Sequence, residues 1–317
     1  MIACRFWLKP RDSFEIDGHC EIDLRRDLAL KLIHQGKVRD LYRVGTPEDR
    51  LLLMVASDRV SAFDVVMQEE IRDKGKVLTA MSAFWFEYLG DRFPNHLVTA
   101  NPTKRELGEE LPAEFRGRAM LVKEARMLPI ECIVRGYLAG SALKEYQQSQ
   151  TVHGQPMPSG LSAGMKLPEP LFTPSTKAES GHDINISYEQ AAEIVGKESA
   201  AKVRELSLEI YRLGAKRAED AGVILADTKF EFGFIDEEIA VCDEVLTPDS
   251  SRIWEASELL SGGEPTAYDK QPLRDWLEST GWNKVPPPPA LPNAVQESLR
   301  NRYIAVYERI SGREFLG

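Results

Sequence analysis

One segment, GVILADTKFEFGF at 222–234, constrains the fold more than any other. It begins apolar and ends aromatic, which is typical of a β-strand, yet Asp227, Lys229 and Glu231 recur at every second position. Because side chains in a strand alternate between two faces, these three charges point one way and the phenylalanines between them point the other way. The sequence therefore predicts a strand with one packed face and one charged face.

A hairpin around this strand brings a second acid close to the first. The strand IAVCDEV follows the polar turn DEE, and a turn centred near Glu237 places Asp243 opposite Glu231, with Cβ atoms about 4.5–5.5 Å apart. A register shift of one residue puts Glu244 there instead. Two such carboxylates repel unless a cation lies between them, and Mg²⁺ is the simplest hard cation with oxygen ligands. On spacing alone, a magnesium site and a solvated face on which Lys229 offsets the acids are equally good interpretations.

The charge balance narrows the class of protein. The 317 residues include 40 Lys and Arg against 50 Asp and Glu, a net charge of −10 that argues against a nucleic-acid partner. The four cysteines, at positions 4, 20, 132 and 242, lack the spacing of a zinc site or a disulfide framework. No run approaches the roughly 18 apolar residues of a membrane span, and the N-terminus lacks the apolar run of a signal peptide. We expect a cytoplasmic protein with no nucleic-acid or membrane partner.

The order of β-like and helix-like runs predicts an α+β fold with two domains. After an irregular lead-in at 1–20, short β-like runs dominate 21–125 and predict a small, mostly antiparallel sheet. One helix interrupts them, with an apolar stripe formed by Leu78, Met81, Trp85, Tyr88 and Leu89. Residues 126–285 mix helices and strands and form a larger α+β domain.

Two segments are biased in composition. Residues 151–180 are rich in Gly, Pro and Ser, and a structureless stretch of this length is either functional or disordered. In 286–317, a stiff PPPP spacer precedes a helix. Its apolar stripe comprises Val295, Leu299, Tyr303, Val306 and Ile310. Because the stripe is ordinary in width, we expect this helix to pack on the body rather than to bind a partner.

Early motifs combine glycine, cations and polar side chains. GKVRDLYRV at 36–44 places Lys37 and Arg39 on one strand face beside Gly36, a combination that suits phosphate oxygens. On its own, the motif is better explained by an ordinary polar strand face. SDRVSAFD at 57–64 directly follows an apolar strand, where sites tend to lie and where a turn with an N-cap is equally expected.

Later motifs offer further anion-binding groups. VRGYLAGSALKEY places Arg135 at a strand end and Ser141 at a helix start, and LFTPSTKAESGHD carries Lys177 among hydroxyls, with His182 nearby. DEVLTPDSSRIW adds Ser251 and Arg252. Taken singly, these motifs are explained by a helix cap, a surface arginine and a flexible loop. Taken together with the paired acids, the motifs fit ATP-dependent chemistry on an anionic substrate. No serine-hydrolase or thiol-nucleophile motif is present.

Seven ordered blocks of sequence resemble the SAICAR synthetase family. They are GKVRDLY, SDRVSAFD, KGKVLTAMSAFWFEYL, ECIVRGYLAGSALKEY, LFTPSTKAESGHDINIS, DTKFEFGF and DEVLTPDSSRIW. The resemblance extends from about residue 34 to 280, and the FTPSTK loop and C-terminal extension are similar to a longer, eukaryote-like branch. It implies a small antiparallel β-rich domain over a larger α+β domain, as in ATP-grasp enzymes, with ATP between the two and a C-terminal helix.

The resemblance also implies the reaction. Members of the family are ATP-dependent ligases of de novo purine biosynthesis, which join the carboxylate of the imidazole ribonucleotide CAIR to the amino group of L-aspartate and give SAICAR, ADP and phosphate. An acyl phosphate carries the activated carboxylate, and Mg²⁺ assists the transfer. A kinase-like phosphotransferase and a non-catalytic nucleotide-binding protein are the rival classes. The oligomeric state is expected to be a monomer or a small homo-oligomer.

The resemblance implies a role for each candidate residue. ATP phosphates are assigned to Lys37, Arg39 and Lys177, the adenine to Lys123 and Met127, and Mg²⁺ to Glu231 and Asp243, with Glu231 also counted in the ATP site. The CAIR phosphate is assigned to Arg135, Ser141, Ser251 and Arg252, its ribose or ring to Glu131 and Asp227, and its reacting carboxylate to Lys229. Lys229, Asp227 and Lys177 are the expected catalytic residues. L-Aspartate is assigned to Ser61, Asp64 and Lys270, and Asp249 completes the substrate-binding set.

Overall fold

The computed structural model describes residues 30–177, 184–262 and 265–317, so the lead-in expected at 1–20 and the loop residue His182 lie outside the described residues. The strands within these ranges are β1 Lys31–Gln35, β2 Arg39–Val44, β3 Leu51–Ala56, β4 Arg59–Ala62, β5 Val65–Glu70, β6 Leu97–Thr99, β7 Ala119–Lys123, β8 Arg126–Met127, β9 Ile130–Tyr137, β10 Thr151–Val152, β11 Gln155–Pro156, β12 Lys166–Phe172, β13 Ser175–Thr176, β14 Val223–Ile235, β15 Glu238–Cys242 and β16 Ser251–Glu255.

The α-helices in the same ranges are α1 Lys74–Leu89, α2 Lys104–Leu107, α3 Gly140–Ser149, α4 Tyr188–Val195, α5 Lys197–Asp220, α6 Ala256–Leu260, α7 Gln271–Ser279 and α8 Asn293–Ser311. A capping box begins α4, since the Ser187 hydroxyl accepts from the Gln190 amide at 3.2 Å. None of the helices described here is long and apolar enough to span a bilayer.

The first part of the chain forms a five-stranded antiparallel sheet in the order β1-β2-β3-β7-β6. Its central strands β3 and β7 are apolar on both faces, and Leu53 and Leu121 lie opposite each other in the middle of the sheet with almost no exposure. The small antiparallel sheet expected from the sequence is therefore present. The domain boundary near residue 125 stays a prediction.

The second sheet is organised around β14, which has 13 residues. It pairs along its length with β9, β16, β15 and β8, and β12 and β13 extend the sheet beyond β9. Phe230 and Phe232 are fully buried in the main core, to which α5 contributes Leu206 and Ile210. The packed face predicted for this strand is confirmed, and it holds the charged face in place.

The β14–β15 hairpin corrects the predicted register. Its turn consists of Asp236 and Glu237, both with positive φ (48° and 65°), which is the backbone geometry of a tight two-residue loop. Ile235 therefore pairs with Glu238, and Glu231 lies opposite Cys242 rather than Asp243. The prediction was wrong by one residue because this loop is one residue shorter than a turn centred on Glu237. Asp243 follows the end of β15.

Two further expectations fail for physical reasons. The segment expected to be structureless contains β10 to β13, and β12 accommodates Pro168 and Pro170 because it lies at an edge of the sheet, where a missing amide donor costs little. Tyr88, assigned to the apolar stripe of α1, is 47% exposed and stacks on Phe84 at the helix surface.

The C-terminal helix α8 packs on the body of the protein, as expected. Four of its apolar residues are at most 2% exposed and join the main core: Leu299, Tyr303, Val306 and Ile310. Ion pairs fix its orientation, since Arg300 binds Asp73 at the start of α1 at 2.5 Å and Arg309 binds Glu255. The helix thereby contacts the start of α1 and the end of β16.

Gly136 provides a test of the packing between β9 and α5. A Cβ at this position would lie 1.8 Å from the Tyr211 hydroxyl, which donates to the Leu225 carbonyl at 2.8 Å and is held there. We expect Gly136→Ala to lower the free energy of unfolding by about 1–3 kcal/mol in urea denaturation, because the core has no room for the methyl group. In the Tyr211→Phe background, which lacks the nearest atom, the additional loss should be smaller. Equal losses in both backgrounds would contradict this packing.

Candidate active site

A cleft of about 620 Å³ lies between the two sheets. Leu52, Met54 and Val122 of the first sheet make one end apolar, and Met127 of β8 closes that end. The other end is lined by charged side chains from β2, β9, β14 and the segment after β15. One end of the cleft thus suits a flat, apolar group of a ligand, and the other end suits an anionic group.

A row of alternating charges runs along the cleft face of β14. The Lys229 ammonium lies 2.6 Å from Glu131 Oε1 and 3.3 Å from Glu231 Oε1, and Lys177 pairs with the other Glu231 oxygen. Burial by itself raises the pKa of Glu231, but Lys229 and Lys177 outweigh it and lower that pKa. Burial lowers the pKa of Lys229, and the two glutamates more than reverse this, so the lysine stays charged. Lys229 and Glu231 are therefore held ionised by their neighbours.

A second group of charges lines the same cleft. Arg39 of β2 lies 3.3 Å from Asp243 Oδ1 and also pairs with Glu244. The His96 ring lies 3.1 Å from the Asp243 carbonyl, and burial lowers the pKa of His96 to about 4, so the neutral ring donates this bond. Asp243 has a φ of 57°, and these contacts hold its unusual backbone. Sequence reasoning missed His96, which no motif marks.

The residues predicted for an anion site meet at the start of α3. Asp227 lies in register with Arg135 on one side and Arg252 on the other, at 3.5 and 2.5 Å from their guanidinium nitrogens. Arg135 also donates to Ser141 Oγ at 3.3 Å. A Cβ at Gly140 would lie 2.4 Å from Arg252, so only glycine lets the guanidinium approach the helix start this closely. Two guanidinium groups share one carboxylate beside a helix N-terminus.

Ser251 departs from the predicted anion site. Its hydroxyl lies 2.8 Å from Thr228 Oγ1 in the buried layer behind the sheet. Neighbouring residues of a strand face opposite ways, so Ser251 cannot share a face with Arg252. Thr173, a loop hydroxyl in the sequence, is the group that completes this cluster, because it accepts from Arg135 Nε at 3.0 Å.

Asp249 is buried at the charged end of the cleft. Its Oδ2 receives the ammonium groups of Lys74 at 2.8 Å and Lys270 at 3.0 Å, and its Oδ1 accepts from the Tyr303 hydroxyl at 2.8 Å. Burial alone raises the pKa of Asp249, but the two lysines reverse this and keep it ionised. Sequence reasoning missed Lys74 and Tyr303, because contacts between distant segments leave no local pattern.

Other predicted residues lie at the rim and at the apolar end. Lys37 lies in the turn between β1 and β2, not on a strand face with Arg39, and its ammonium is 2.5 Å from Asp64 Oδ1. Ser61 lines the cleft nearby. Lys123, the last residue of β7, lies with Met127 at the apolar end.

Gly36 has a different role from the one expected. Its amide donates to the Arg39 carbonyl at 2.8 Å, and a Cβ would lie 2.7 Å from that oxygen. The glycine closes a tight turn, which presents Lys37 to the cleft.

Known proteins share this sequence and architecture. The family model described as SAICAR synthetase matches residues 32–289. The phosphoribosylaminoimidazole-succinocarboxamide synthases of Methylobacillus flagellatus and Thermodesulfovibrio yellowstonii are each 52% identical, over 90% and 88% of this chain and 96% and 94% of their own lengths. The chain belongs to the SAICAR synthetase family. It is therefore an ATP-dependent ligase of purine biosynthesis, and its small-molecule substrates are those of the family.

A solved structure agrees with this assignment. The SAICAR synthase of Saccharomyces cerevisiae, in complex with SAICAR, is 42% identical and superposes with a TM-score of 0.80 over 94% of this chain and 98% of that one. The α+β fold with its C-terminal helix is thus the family fold. The bacterial relatives match most of the chain's length, so the longer form is not confined to eukaryotes.

The charge row predicts a pH-dependent contribution to stability. Lys229→Met removes the ammonium between Glu131 and Glu231, and we expect the free energy of unfolding at pH 7 to fall by about 2 kcal/mol. The pKa of Glu231 is lowered in the fold, so this stabilisation is present above the ordinary glutamate pKa of 4.5 and is lost as the pH falls through the folded value. The difference in unfolding free energy between Lys229→Met and wild type should therefore become smaller below pH 4.5.

The measurement is denaturation from pH 7 to pH 3, with Lys216→Met as the matched control. Lys216 forms an exposed pair with Asp220 on α5, and its loss should cost little at any pH. A difference for Lys229→Met that stays constant with pH would contradict the electrostatic origin of the effect.

Proposed function

We propose that the cleft forms an acyl phosphate on the carboxylate of CAIR and then joins that carbon to the amino group of L-aspartate. One observation carries this proposal. The charged face of β14 runs from the arginine cluster at Asp227, past Lys229, to Glu231, which lines the same cleft as the apolar slot. A single rigid strand thus connects a pocket suited to a ribonucleotide phosphate with a pocket suited to a nucleotide base.

The chemistry requires this continuity. A carboxylate resists attack by an amine, so one of its oxygens first attacks the γ-phosphorus of ATP, and ADP leaves. The amine of L-aspartate then attacks the carbonyl carbon, loses a proton and expels phosphate. Phosphoryl transfer depends on alignment and on charge stabilisation more than on covalent help from protein. Lys229, held between two carboxylates, is positioned to orient the reacting carboxylate.

ATP binds with its adenine between Lys123, Met127 and the apolar lining in this proposal. Lys177 and Lys37 approach the phosphates from opposite sides of the cleft. Arg39 is already paired with Asp243 and Glu244, so its first role is to fix those acids, and a phosphate contact would compete with that pairing.

The donor set at the charged end fits Mg²⁺. Glu231 and Asp243 both line the cleft, although the register does not set them opposite each other. The described part of the chain offers no cluster of three or more His, Cys, Asp or Glu side chains for a metal. Two carboxylates suit Mg²⁺, which typically takes its other ligands from nucleotide phosphates and water. When bound, the ion supplies charge neutralisation at the β- and γ-phosphates.

The remaining substrates are assigned by charge and position. Arg135 and Arg252, with Ser141 and the α3 amides, suit the CAIR phosphate, and Glu131 and Asp227 lie beside it for the ribose or ring. The Ser251 side chain is assigned no contact with the CAIR phosphate. L-Aspartate is assigned to the region between Ser61, Asp64 and Lys270, with Asp249 behind the lysine. A cytoplasmic location and a monomeric or small oligomeric state stay predictions.

Glu231→Gln tests the metal assignment. The amide is a poor ligand for Mg²⁺, so we expect kcat to fall roughly 100-fold or more while the circular dichroism spectrum is unchanged. Glu238→Gln, on the exposed part of the same hairpin, is the matched control and should keep full activity. Near-normal activity of Glu231→Gln at low Mg²⁺ concentration would sink the assignment.

Arg252→Ala tests the anion site. Loss of charge-assisted hydrogen bonds to the phosphate should raise the KM for CAIR about 10- to 100-fold and leave the KM for ATP nearly unchanged. Arg212→Ala, on the exposed face of α5, controls for the loss of a positive charge. Equal increases in both KM values would count against this site.

The reaction itself is tested by phosphate release with each substrate omitted in turn. The proposed function requires ATP, CAIR and L-aspartate together for turnover. A kinase-like phosphotransferase consumes ATP with no aspartate requirement, and a non-catalytic nucleotide-binding protein releases no phosphate. Sustained release without L-aspartate would overturn the proposal.

A further inference from the structure

The C-terminal helix contacts a residue of the cleft lining through one hydroxyl group. Tyr303 of α8 is fully buried, and its hydroxyl donates to Asp249 Oδ1 at 2.8 Å across 54 residues of sequence. Asp249 in turn lines the cleft. The nearby Arg300–Asp73 pair shows that α8 is anchored by charge as well as by apolar contact. A contact that served only to attach the helix would not need a hydroxyl at this depth.

Asp249 holds two ammonium groups with its other oxygen. Lys74, with a fully buried side chain, approaches Oδ2 at 2.8 Å, and Lys270 approaches the same atom at 3.0 Å. Lys74 does not line the cleft, whereas Lys270 does. Burial lowers the pKa of Lys74 to about 8, and Asp249 opposes that effect. One carboxylate therefore serves two lysines, and only Lys270 faces the ligand.

The direction of the Lys270 ammonium depends on the rotation of the Asp249 carboxylate. That carboxylate has two oxygens, and Oδ2 stays directed at both lysines only while Oδ1 is held elsewhere. Among the described residues, Tyr303 is the side chain that donates a hydrogen bond to Oδ1. Removal of the hydroxyl leaves Oδ1 in a buried environment without this donor, and the carboxylate then gains by rotating toward the ammonium groups.

We propose that Tyr303 is a positioning residue for substrate binding, which acts through Asp249 to hold the Lys270 ammonium toward a carboxylate of L-aspartate. The inference rests on the proposed function for the identity of that ligand. It adds a residue from the C-terminal helix to the substrate site, although the helix does not line the cleft. Lys74 supports the same arrangement, because it shares the Oδ2 atom of Asp249 with Lys270.

Tyr303→Phe is the test, because it removes only the hydroxyl. We expect the KM for L-aspartate to rise about 10-fold, with kcat at saturating L-aspartate and the KM values for ATP and CAIR within about twofold of wild type. Tyr307→Phe, one turn further along α8, is the matched control: Tyr307 is buried to a similar extent, and its kinetics should be unchanged. A purely structural role of Tyr303 would lower the melting temperature or kcat without this selective effect.

Coupling distinguishes action through Lys270 from a direct effect. In a Lys270→Met background, which should itself have a raised KM for L-aspartate, Tyr303→Phe should cause no further increase. An additive increase would overturn the proposed route. If wild type showed no phosphate release dependent on L-aspartate, the proposed function would fail, whatever the Tyr303 variants do. Wild-type activity with an unchanged or uniformly altered KM in Tyr303→Phe would reject the inference alone.

A second variant guards against a folding defect. If Tyr303→Phe does not fold, Asp249→Asn changes the other partner of the bond and should also raise the KM for L-aspartate more than that for ATP. Failure of both variants to fold would identify the contact as one needed for folding and would overturn the positioning role.

Discussion

The interaction on which the site depends is the pairing of Lys229 with Glu131 and Glu231. Two carboxylates buried this close repel strongly, and the ammonium between them makes the arrangement possible. The phenylalanines on the opposite face of β14 hold the backbone, so the three charges keep a fixed spacing. A site built in this way presents its charged groups at fixed positions, which favours electrostatic stabilisation.

The length of β14 explains why one strand carries charged residues at several positions along the site. β14 is long enough to carry Asp227 among the arginines, Lys229 at the centre and Glu231 beside Lys177. The elements around it supply what a single strand cannot: Arg135 and Glu131 from β9, Arg252 from β16, and Arg39 from the first sheet. Each of these charged side chains has an oppositely charged partner on β14 or beside it, so the charges of the site balance one another.

The features that follow from local periodicity could be predicted from the sequence. Alternation revealed the working face of β14, and the stripe on α8 predicted its docking. The register of the hairpin was wrong because a tight loop of two residues with positive φ is hard to distinguish from a longer turn. Motif matching ignores which face of a strand a residue occupies, and the Ser251 hydroxyl lies against Thr228 rather than beside Arg252.

The contacts of Lys74, His96 and Tyr303 were invisible for a different reason. Each depends on segments far apart in sequence, and nothing in the local pattern distinguishes a buried lysine or tyrosine that binds a carboxylate from one that packs. Only the assembled fold brings these groups to Asp243 and Asp249. The account in which β14 joins the CAIR site to ATP is tested most directly with CAIR labelled by ¹⁸O in its carboxylate. The acyl phosphate route predicts that one labelled oxygen enters each released phosphate, and phosphate free of label would contradict it.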